Sequence, residues 1–167
     1  MATGPRYAVK FRRRRECKTN YQKRLKLLKS NLPRLVVRKS TNYITLQLVL
    51  FDPKGDKTLL TVNSAQLKKF GWPHSYKNIP AAYLTGLLAG KLGKTKVKEA
   101  IADVGLHTAT KGAKIFAAVK GAADAGLQIK FNPATIIEDR IIGKHISTHL
   151  KKPIEKDFAA AKEKILK

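Results

Sequence analysis

Residues 12–15 are four consecutive arginines, and no other feature of this chain restricts its fold as strongly. Each guanidinium repels its neighbours, and burying one without a partner carries a large desolvation penalty. A helix or strand would spread the four over several faces, so they could not share one protein contact. A polyanion can accommodate them, because phosphates can lie all around such a segment. We therefore predict that residues 4–15 lie outside the core as an arm that binds nucleic acid.

Aromatic side chains alternate with the charges of this arm, since Tyr7 and Phe11 lie among its basic residues. Flat rings between cations are typical of segments on which bases stack. The candidate contacts in the arm are Arg6, Tyr7, Lys10, Phe11, Arg12, Arg13, Arg14 and Arg15. The alternative is a solvated basic tail or a targeting signal, because basic runs are common and not specific.

The charge of the whole chain indicates a polyanionic partner. Lys and Arg number 35 against 11 Asp and Glu, and the first 39 residues hold 14 bases and one acid. Such a field attracts nucleic acid and opposes a compact state unless it is neutralised. We predict three parts: an arm with a short helix (1–32), a globular body (33–132) and a C-terminal helical extension (133–167).

The composition also excludes several classes of protein. The one cysteine, Cys17, excludes an internal disulfide and a zinc site made of thiolates. The basic start is not followed by the apolar segment of a secretory signal, and no apolar run reaches the length of a membrane span. We therefore expect a cytosolic protein without a membrane partner.

Three strands in series are predicted at residues 34–39, 43–51 and 57–63. They alternate in polarity and are joined by short turns, which is typical of an antiparallel meander. Ile44, Leu46, Leu48 and Leu50 would form the core face of the second strand. If the pleats align, the opposite face carries Arg34, Arg38, Tyr43, Thr45 and Gln47. That face is either an RNA platform or an ordinary solvent face, and the pattern does not separate the two.

The remaining pattern predicts helices and a second, parallel unit. Helices are predicted at 19–31, 64–70, 79–92, 111–125, 134–150 and 154–165, and strands at 99–106 and 127–131. Asn78 is a suitable N-cap for the helix at 79–92, and Gly86 and Gly90 suggest close packing of that helix on the sheet. In the first helix Leu25 belongs to a leucine stripe that would face the body, and the apolar stripe of the last helix is Ile154, Phe158, Ala161 and Ile165. The fold class is mixed α/β: an antiparallel three-stranded meander plus a strand–helix–strand unit, helices packed on the sheet, and an extended basic N-terminal arm.

Catalytic chemistry finds little support in the sequence. A two-metal nuclease needs converging carboxylates, but Asp52 and Asp56 flank a turn, and Asp103 with Asp124 are too few. His145 and His149 have the four-residue spacing of zinc ligands without the glutamate of a metalloprotease motif. We predict no catalytic residue, no metal and no cofactor.

Several segments stand in an order that matches one known family. They are Gly-Pro-Arg-Tyr at 4–7 with the arginine run, Lys-Thr-Asn-Tyr at 18–21 with Arg-Leu at 24–25, 33–40 with Ile44 and Gln47, Pro-Ala-Ala-Tyr-Leu-Thr-Gly at 80–86, Asp-Val-Gly-Leu-His at 103–107, Phe-Ala-Ala-Val-Lys-Gly-Ala at 116–122, and Asp-Ala-Gly at 124–126. In these segments the chain resembles the family of ribosomal protein eighteen of the large subunit, a 5S-rRNA-binding family, in its archaeal form. Cys17 stands where the resemblance leads us to expect glycine, and the segment after Leu150 is left unplaced.

The resemblance implies a non-enzymatic, cytoplasmic, monomeric protein in the central protuberance of the large ribosomal subunit. The family binds 5S rRNA through the arm, the first helix and the open sheet face, touches 23S rRNA and neighbours ribosomal protein five. By position, RNA contacts are carried over to Arg12–Arg15, Lys18, Tyr21, Arg24, Arg34, Arg38, Ser40 and Gln47. The residues alone leave two other hypotheses open: a chromatin-type DNA binder and a ribonuclease-like enzyme.

Overall fold

The structure is a computed structural model that describes residues 4–151 and 153–167. Helices and strands follow one another along the chain as α1 (Arg12–Arg15), α2 (Tyr21–Leu28), β1 (Arg34–Lys39), β2 (Ile44–Leu50), β3 (Lys57–Asn63), a 3₁₀ helix (Ser64–Phe70), α3 (Ile79–Gly93), β4 (Glu99–Asp103), α4 (Lys114–Asp124), β5 (Gln128–Ile129), a 3₁₀ turn (Pro133–Thr135), α5 (Glu138–Ile142), α6 (Lys144–Leu150) and α7 (Ile154–Leu166).

The five strands form one mixed sheet in the order β3-β2-β1-β4-β5. The first three strands are antiparallel, as the meander predicts, whereas β4 runs parallel to β1 and β5 runs parallel to β4. Helices α3 and α4 pack on one face of this sheet. The predicted mixed α/β fold is confirmed.

Alternation along β1 and β2 decides which side chains are buried. Leu35 and Val37 are fully buried, and so are Leu46 and Leu48 on the neighbouring strand. The prediction that Leu50 continues this core face is wrong. Leu50 is 40% exposed because it is the last residue of β2 and lies beyond Val49, where the pairing of β2 with β1 ends at Arg34. The irregularity between Leu48 and Val49 places the extra residue, Leu59, in β3, and the register of β2 with β1 stays unbroken.

Helix α3 begins at the predicted cap, since the Asn78 side chain accepts a hydrogen bond from the backbone of Ala81. Its glycines allow close packing, but the packing partner differs from the prediction. A Cβ built on Gly86 would lie 2.0 Å from the carbonyl oxygen of Ala118 in α4. Gly121 of α4 meets the Tyr83 carbonyl of α3 in the same way, at 2.2 Å. The glycines therefore bring two helix backbones together, rather than a helix and the sheet.

In the C-terminal part, one predicted helix is divided into two helices. The helix predicted at 134–150 is interrupted at Gly143, whose φ of +95° ends α5 before α6 begins. Helix α7 buries Ile154, Phe158, Ala161 and Ile165, the predicted stripe, against α3 and its neighbours. The division of the chain at residue 132 stays a prediction, although α7 shares the main core.

The N-terminal arm differs in part from the expected extended segment. Residues 12–15 form one helical turn, and residues 4–11 are irregular apart from a turn in which the Tyr7 N–H donates to the Gly4 carbonyl. Helix α2 is shorter than the predicted 19–31 because it starts at its Asn20 cap. Leu25 of α2, predicted to face the body, is 59% exposed. The described residues contain no helix that is both long and apolar enough to cross a membrane.

Candidate nucleic-acid interface

A groove of about 780 Å³ lies between α2 and the open face of the sheet. One wall comes from the loop and helix that follow the arginine turn, and the other comes from β1, β4 and the turn after β4. Its lining includes seven cationic side chains, namely Arg13, Lys18, Lys23, Arg24, Lys26, Arg34 and Arg38, and two carboxylates, namely Asp56 and Asp103.

Arg34 forms the floor of this groove and is almost completely enclosed. Arg34 is 3% exposed, its Nη1 lies 3.0 Å from Asp103 Oδ2, and its Nη2 lies 2.5 Å from Asp56 Oδ2. Within the described residues its Nε has no hydrogen-bond partner. Paired carboxylates make a buried guanidinium tolerable, since removing one partner of such a pair is strongly destabilising. Arg34 therefore joins β1, β4 and the β2–β3 turn.

Arg38 stands four residues further along β1, on the same face, and its side chain is 45% exposed. Nη2 contacts Asp103 Oδ1 at 3.1 Å, and Nη1 donates to the Asp103 carbonyl at 2.8 Å. Its guanidinium lies over Gly105, where a Cβ would come within 2.9 Å of Cζ. Gly105 has a φ of +62°, and its N–H donates a hydrogen bond to Asp103 Oδ1 at 2.9 Å. The Asp-Val-Gly turn thus fixes Arg38 at the rim of the groove with half of its surface open.

Arg24 ties helix α2 to the body across the groove. Its Nη2 donates to both oxygens of Asp56 at 2.9 Å. Burial raises the pKa of Asp56, but hydrogen bonds and charge from Arg24 and Arg34 outweigh it and hold that pKa below its ordinary value. Asp56 therefore stays ionised and links two arginines from different elements.

The open face continues on β2 and β3 as a row of polar side chains. Gln47 donates to the hydroxyl of Thr61 at 3.2 Å, and Asn63 donates to that of Thr45 at 3.2 Å. The register places Thr45 opposite Arg38. Of the five residues predicted to share one sheet face, Arg34, Arg38, Thr45 and Gln47 do so, whereas Tyr43 lies in the turn before β2.

Comparison with known proteins gives one family. Residues 5–102 and 91–132 match the family of ribosomal large subunit proteins 60S L5 and 50S L18. The chain belongs to this family. It is 49% identical over 168 residues to the large ribosomal subunit protein uL18 of Methanothrix thermoacetophila, covering 99% of both chains. It is 52% identical over 151 residues to uL18 of Natronomonas pharaonis, covering 89% of this chain and 82% of the relative.

Family membership confirms the predicted ribosomal, non-enzymatic and archaeal-type character of the chain, and with it the predicted place in the cytoplasmic ribosome. It also extends the resemblance, because the Methanothrix relative aligns through the segment after Leu150 that the sequence motifs left unplaced. As a large-subunit protein of this family, the chain has rRNA and other large-subunit proteins as its partners.

The structure brings about a third of the predicted contact residues to the groove. Those that line it are Arg13, Lys18, Tyr21, Arg24, Arg34 and Arg38. The others on the arm are exposed outside it, namely Arg6, Tyr7, Lys10, Phe11, Arg12, Arg14 and Arg15. Phe11 packs on Tyr21, with ring centroids 5.5 Å apart. This contact joins the arm to α2.

Ser40 and Tyr43 lie in the turn between β1 and β2, away from the groove lining. The Ser40 hydroxyl accepts from the Tyr43 N–H and donates to its carbonyl, both at 3.0 Å. Ser40 is thus engaged in shaping the turn. Tyr43 is 39% exposed and lies against Tyr76, a residue that the sequence analysis did not select.

Sequence reasoning also missed Asp56 and Asp103, which it considered only as candidate metal ligands. Their role depends on which strands are neighbours, and β1 lies beside β4 although 60 residues separate them in the chain. Among residues 4–151 and 153–167, no group of three or more His, Cys, Asp and Glu side chains is placed to hold a metal ion. His145 and His149 are exposed on α6.

Proposed function

We propose that this chain binds 5S rRNA and attaches it to 23S rRNA in the central protuberance of the large subunit, beside ribosomal protein five. Family membership supports the ribosomal part of this proposal, and the groove with its arm supports the RNA-binding part.

The observation that carries the proposal is the imbalance of charge in the groove. Seven cationic side chains line it, and its two carboxylates are already engaged by Arg24, Arg34 and Arg38. Of the four remaining cations, Lys18 pairs with Glu16 outside the groove lining, and Arg13, Lys23 and Lys26 are available to the phosphates of a polyanion. Phosphates bound there would release their condensed counterions, which is the main source of affinity for RNA.

The exposed arm would supply the largest share of the contacts. Its four arginines form a turn in which none is buried, so all can reach phosphates on several sides. Tyr7 and Phe11 are 52% and 74% exposed, which leaves their faces available for stacking on unpaired bases. The segment would become fixed as it docks, at a cost in conformational entropy.

The residues of the sheet would divide into two roles. Arg38, Tyr43, Thr45 and Gln47 offer exposed or half-exposed groups to RNA. Arg34 was predicted to contact RNA, but its enclosed guanidinium suits it better as a positioning residue that holds Asp56 and Asp103 in place. Specificity would then come from the shape of the RNA and from stacked, splayed-out bases.

The test is binding of the full chain to 5S rRNA, duplex DNA and an unrelated tRNA over a salt series. We expect 5S rRNA to stay bound near physiological salt while both competitors dissociate. Replacing Arg12–Arg15 with alanine should weaken 5S rRNA binding by about a hundredfold or more. It should also reduce the slope of log affinity against log salt concentration by about three.

The matched control changes four exposed lysines outside the groove lining, Lys98, Lys130, Lys156 and Lys164, to alanine. It removes the same net charge and should weaken binding far less. Equal losses in the two variants would show that net charge alone explains binding. A single steep salt line for all three nucleic acids would contradict the specific role and favour a general nucleic-acid binder.

A further inference from the structure

A second crevice, of about 240 Å³, lies beside the start of α4. Four cationic side chains line it, Lys39, Lys111, Lys114 and Arg140, and no carboxylate does. Among the described residues, none of the four has a carboxylate oxygen within 4 Å. The main groove neutralises three of its arginines internally, whereas this crevice neutralises none of its cations.

The ammonium groups around the crevice repel one another. Burial lowers the pKa of Lys114, and the charges of Lys77 and then Lys39 lower it further. Three cations converging without a counter-ion oppose the folded state of the isolated chain. The arrangement is favourable when an external polyanion supplies the missing charge.

An aromatic pair lies close to two of these cations, Lys39 and Lys77, along the chain. Tyr76, which precedes Lys77, lies nearly parallel to Tyr43, with ring centroids 6.1 Å apart and an interplanar angle of 26°. Tyr43 is 39% exposed. Cations next to stacked aromatic rings are typical of surfaces that bind unpaired nucleotides, because the rings receive bases while the cations hold phosphates.

The crevice and the proposed RNA interface meet at the end of β1. Lys39 lines the crevice and directly follows Arg38, which lines the main groove, so the two side chains leave the strand on opposite faces. His107 lies between the two surfaces: burial lowers its pKa, and so do the charges of Lys39 and Arg38. An RNA chain that leaves the groove past Arg38 would therefore reach Lys39 by passing around the end of β1.

We propose that Lys39, Tyr76, Lys77, Lys111 and Lys114 form a second RNA-contact surface, which holds an unpaired rRNA segment by its phosphates and one stacked base. The surface rests on the proposed function, because it extends the same interface. Its occupant is RNA rather than an acidic protein segment, since a carboxylate-rich partner would account for the lysines but not for the tyrosine pair.

The test compares two variants of the full chain in binding to deproteinised 5S rRNA and, separately, 23S rRNA. Replacing Lys77, Lys111 and Lys114 with alanine should weaken binding to one of these RNAs at least tenfold and reduce its salt slope by about two. Tyr76→Leu keeps an apolar side chain and should weaken binding to the same RNA about tenfold without changing the slope.

The control variant replaces Lys98, Lys130 and Lys156 with alanine, which removes the same charge at exposed positions away from the crevice. Unfolding midpoints of all variants are measured first, so that a loss of fold is not read as a loss of contact. A second readout is ultraviolet crosslinking in assembled large subunits, in which Tyr76 should carry a nucleotide adduct.

The proposal is overturned if the crevice variant and its control bind both RNAs equally well, or if Tyr76→Leu has no effect and Tyr76 yields no adduct. Such a result would favour an acidic protein as the occupant. Failure of the proposed function looks different, because the unaltered chain would then bind 5S rRNA no better than tRNA. In either case, the presence or absence of a nucleotide adduct at Tyr76 shows whether the second surface contacts RNA.

Discussion

The two faces of the sheet are built on different interactions. On the covered face, Leu35 and Val37 of β1 are fully buried under helices, and Gly86 brings the α3 backbone against α4. On the open face, Arg34 and Asp103 are 3% and 6% exposed in the groove between the sheet and α2. One face is held by apolar packing, and the other encloses charged groups by pairing them with one another.

This difference separates stability from recognition. Apolar burial contributes most of the free energy that favours folding. Because the interior is close-packed, it tolerates little added volume where two backbones touch. Charge-assisted hydrogen bonds add less net stability but fix the direction of each guanidinium. The open face therefore gives up apolar burial and gains oriented cations at the place where we propose that RNA binds.

The covered face should show the largest single effect on stability. Gly86→Ala would place a methyl group 2.0 Å from the Ala118 carbonyl oxygen, and neither helix backbone can yield locally. We expect a loss of at least about 3 kcal/mol in the free energy of unfolding, measured with urea. Gly93→Ala is the control in the same helix, because its methyl group would meet the ends of the Leu48 and Leu127 side chains and no backbone atom of another element. It should cost less than about 1 kcal/mol, and equal losses would refute backbone contact as the cause.

The open face should respond next, through its buried pair. Asp103→Asn leaves Arg34 with one charged partner, so we expect a loss of about 2 kcal/mol in urea unfolding. Glu99→Gln on the same strand makes the same change of charge at an exposed position and should have little effect. If both variants unfold at the same urea concentration, the pair contributes nothing net and the open face is held by packing alone.

Sequence patterns predicted elements on both faces for a clear reason. Alternation and helical spacing are local properties, so the three strands of the meander, the Asn78 cap and the buried stripe of α7 could be derived. The contacts between these elements could not be derived, because they depend on strand order and helix placement. Gly86 was recognised as a close-packing residue, yet its contact with α4 rather than the sheet is tertiary. The exposure of Leu50 likewise depends on a tertiary feature, because the pairing of β2 with β1 ends at Val49.

The same limit applies to the candidate interface. The cations were visible in composition, whereas the carboxylates that orient them were not. Asp103 stands beside Arg34 only because a parallel crossover places β4 next to β1. Tyr76 was missed because its proposed role depends on contact with Tyr43, which lies more than 30 residues away in the chain.

Asp56 tests whether the open face orients its cations for RNA. Removing an acid from a basic groove should strengthen RNA binding if only net charge matters. Asp56→Asn instead frees Arg24 and α2, so we expect 5S rRNA binding about threefold weaker and a stability loss of about 1 kcal/mol. Asp52→Asn changes an acid in the same turn that pairs only with Lys57 among the described residues. It should leave binding unchanged or slightly stronger, and tighter binding by Asp56→Asn would refute the positioning role.

The pH dependence of this link follows from the lowered pKa of Asp56. Because the folded-state pKa lies below the ordinary value of 3.8, the contribution is fully present above that value. It is lost as the pH falls through the lower, folded-state pKa. Fluorescence-monitored unfolding between pH 5 and about pH 2 should therefore show a smaller acid-induced loss in Asp56→Asn than in the unaltered chain.

The smallest expected effect lies in the arm, at the edge of the open face. Cys17 has a φ of +51°, and the turn after α1 is closed by Lys18 N–H to the Arg13 carbonyl at 2.9 Å. A residue with a Cβ is strained in this left-handed conformation, whereas glycine is not, although glycine loses more entropy on folding. Cys17→Gly should therefore stabilise this turn by about 0.5 kcal/mol, seen as roughly twofold slower hydrogen exchange at the Lys18 amide. Cys17→Ala keeps the Cβ and should leave that exchange rate unchanged. A gain of the same size in both variants would assign the strain to the thiol instead of the backbone.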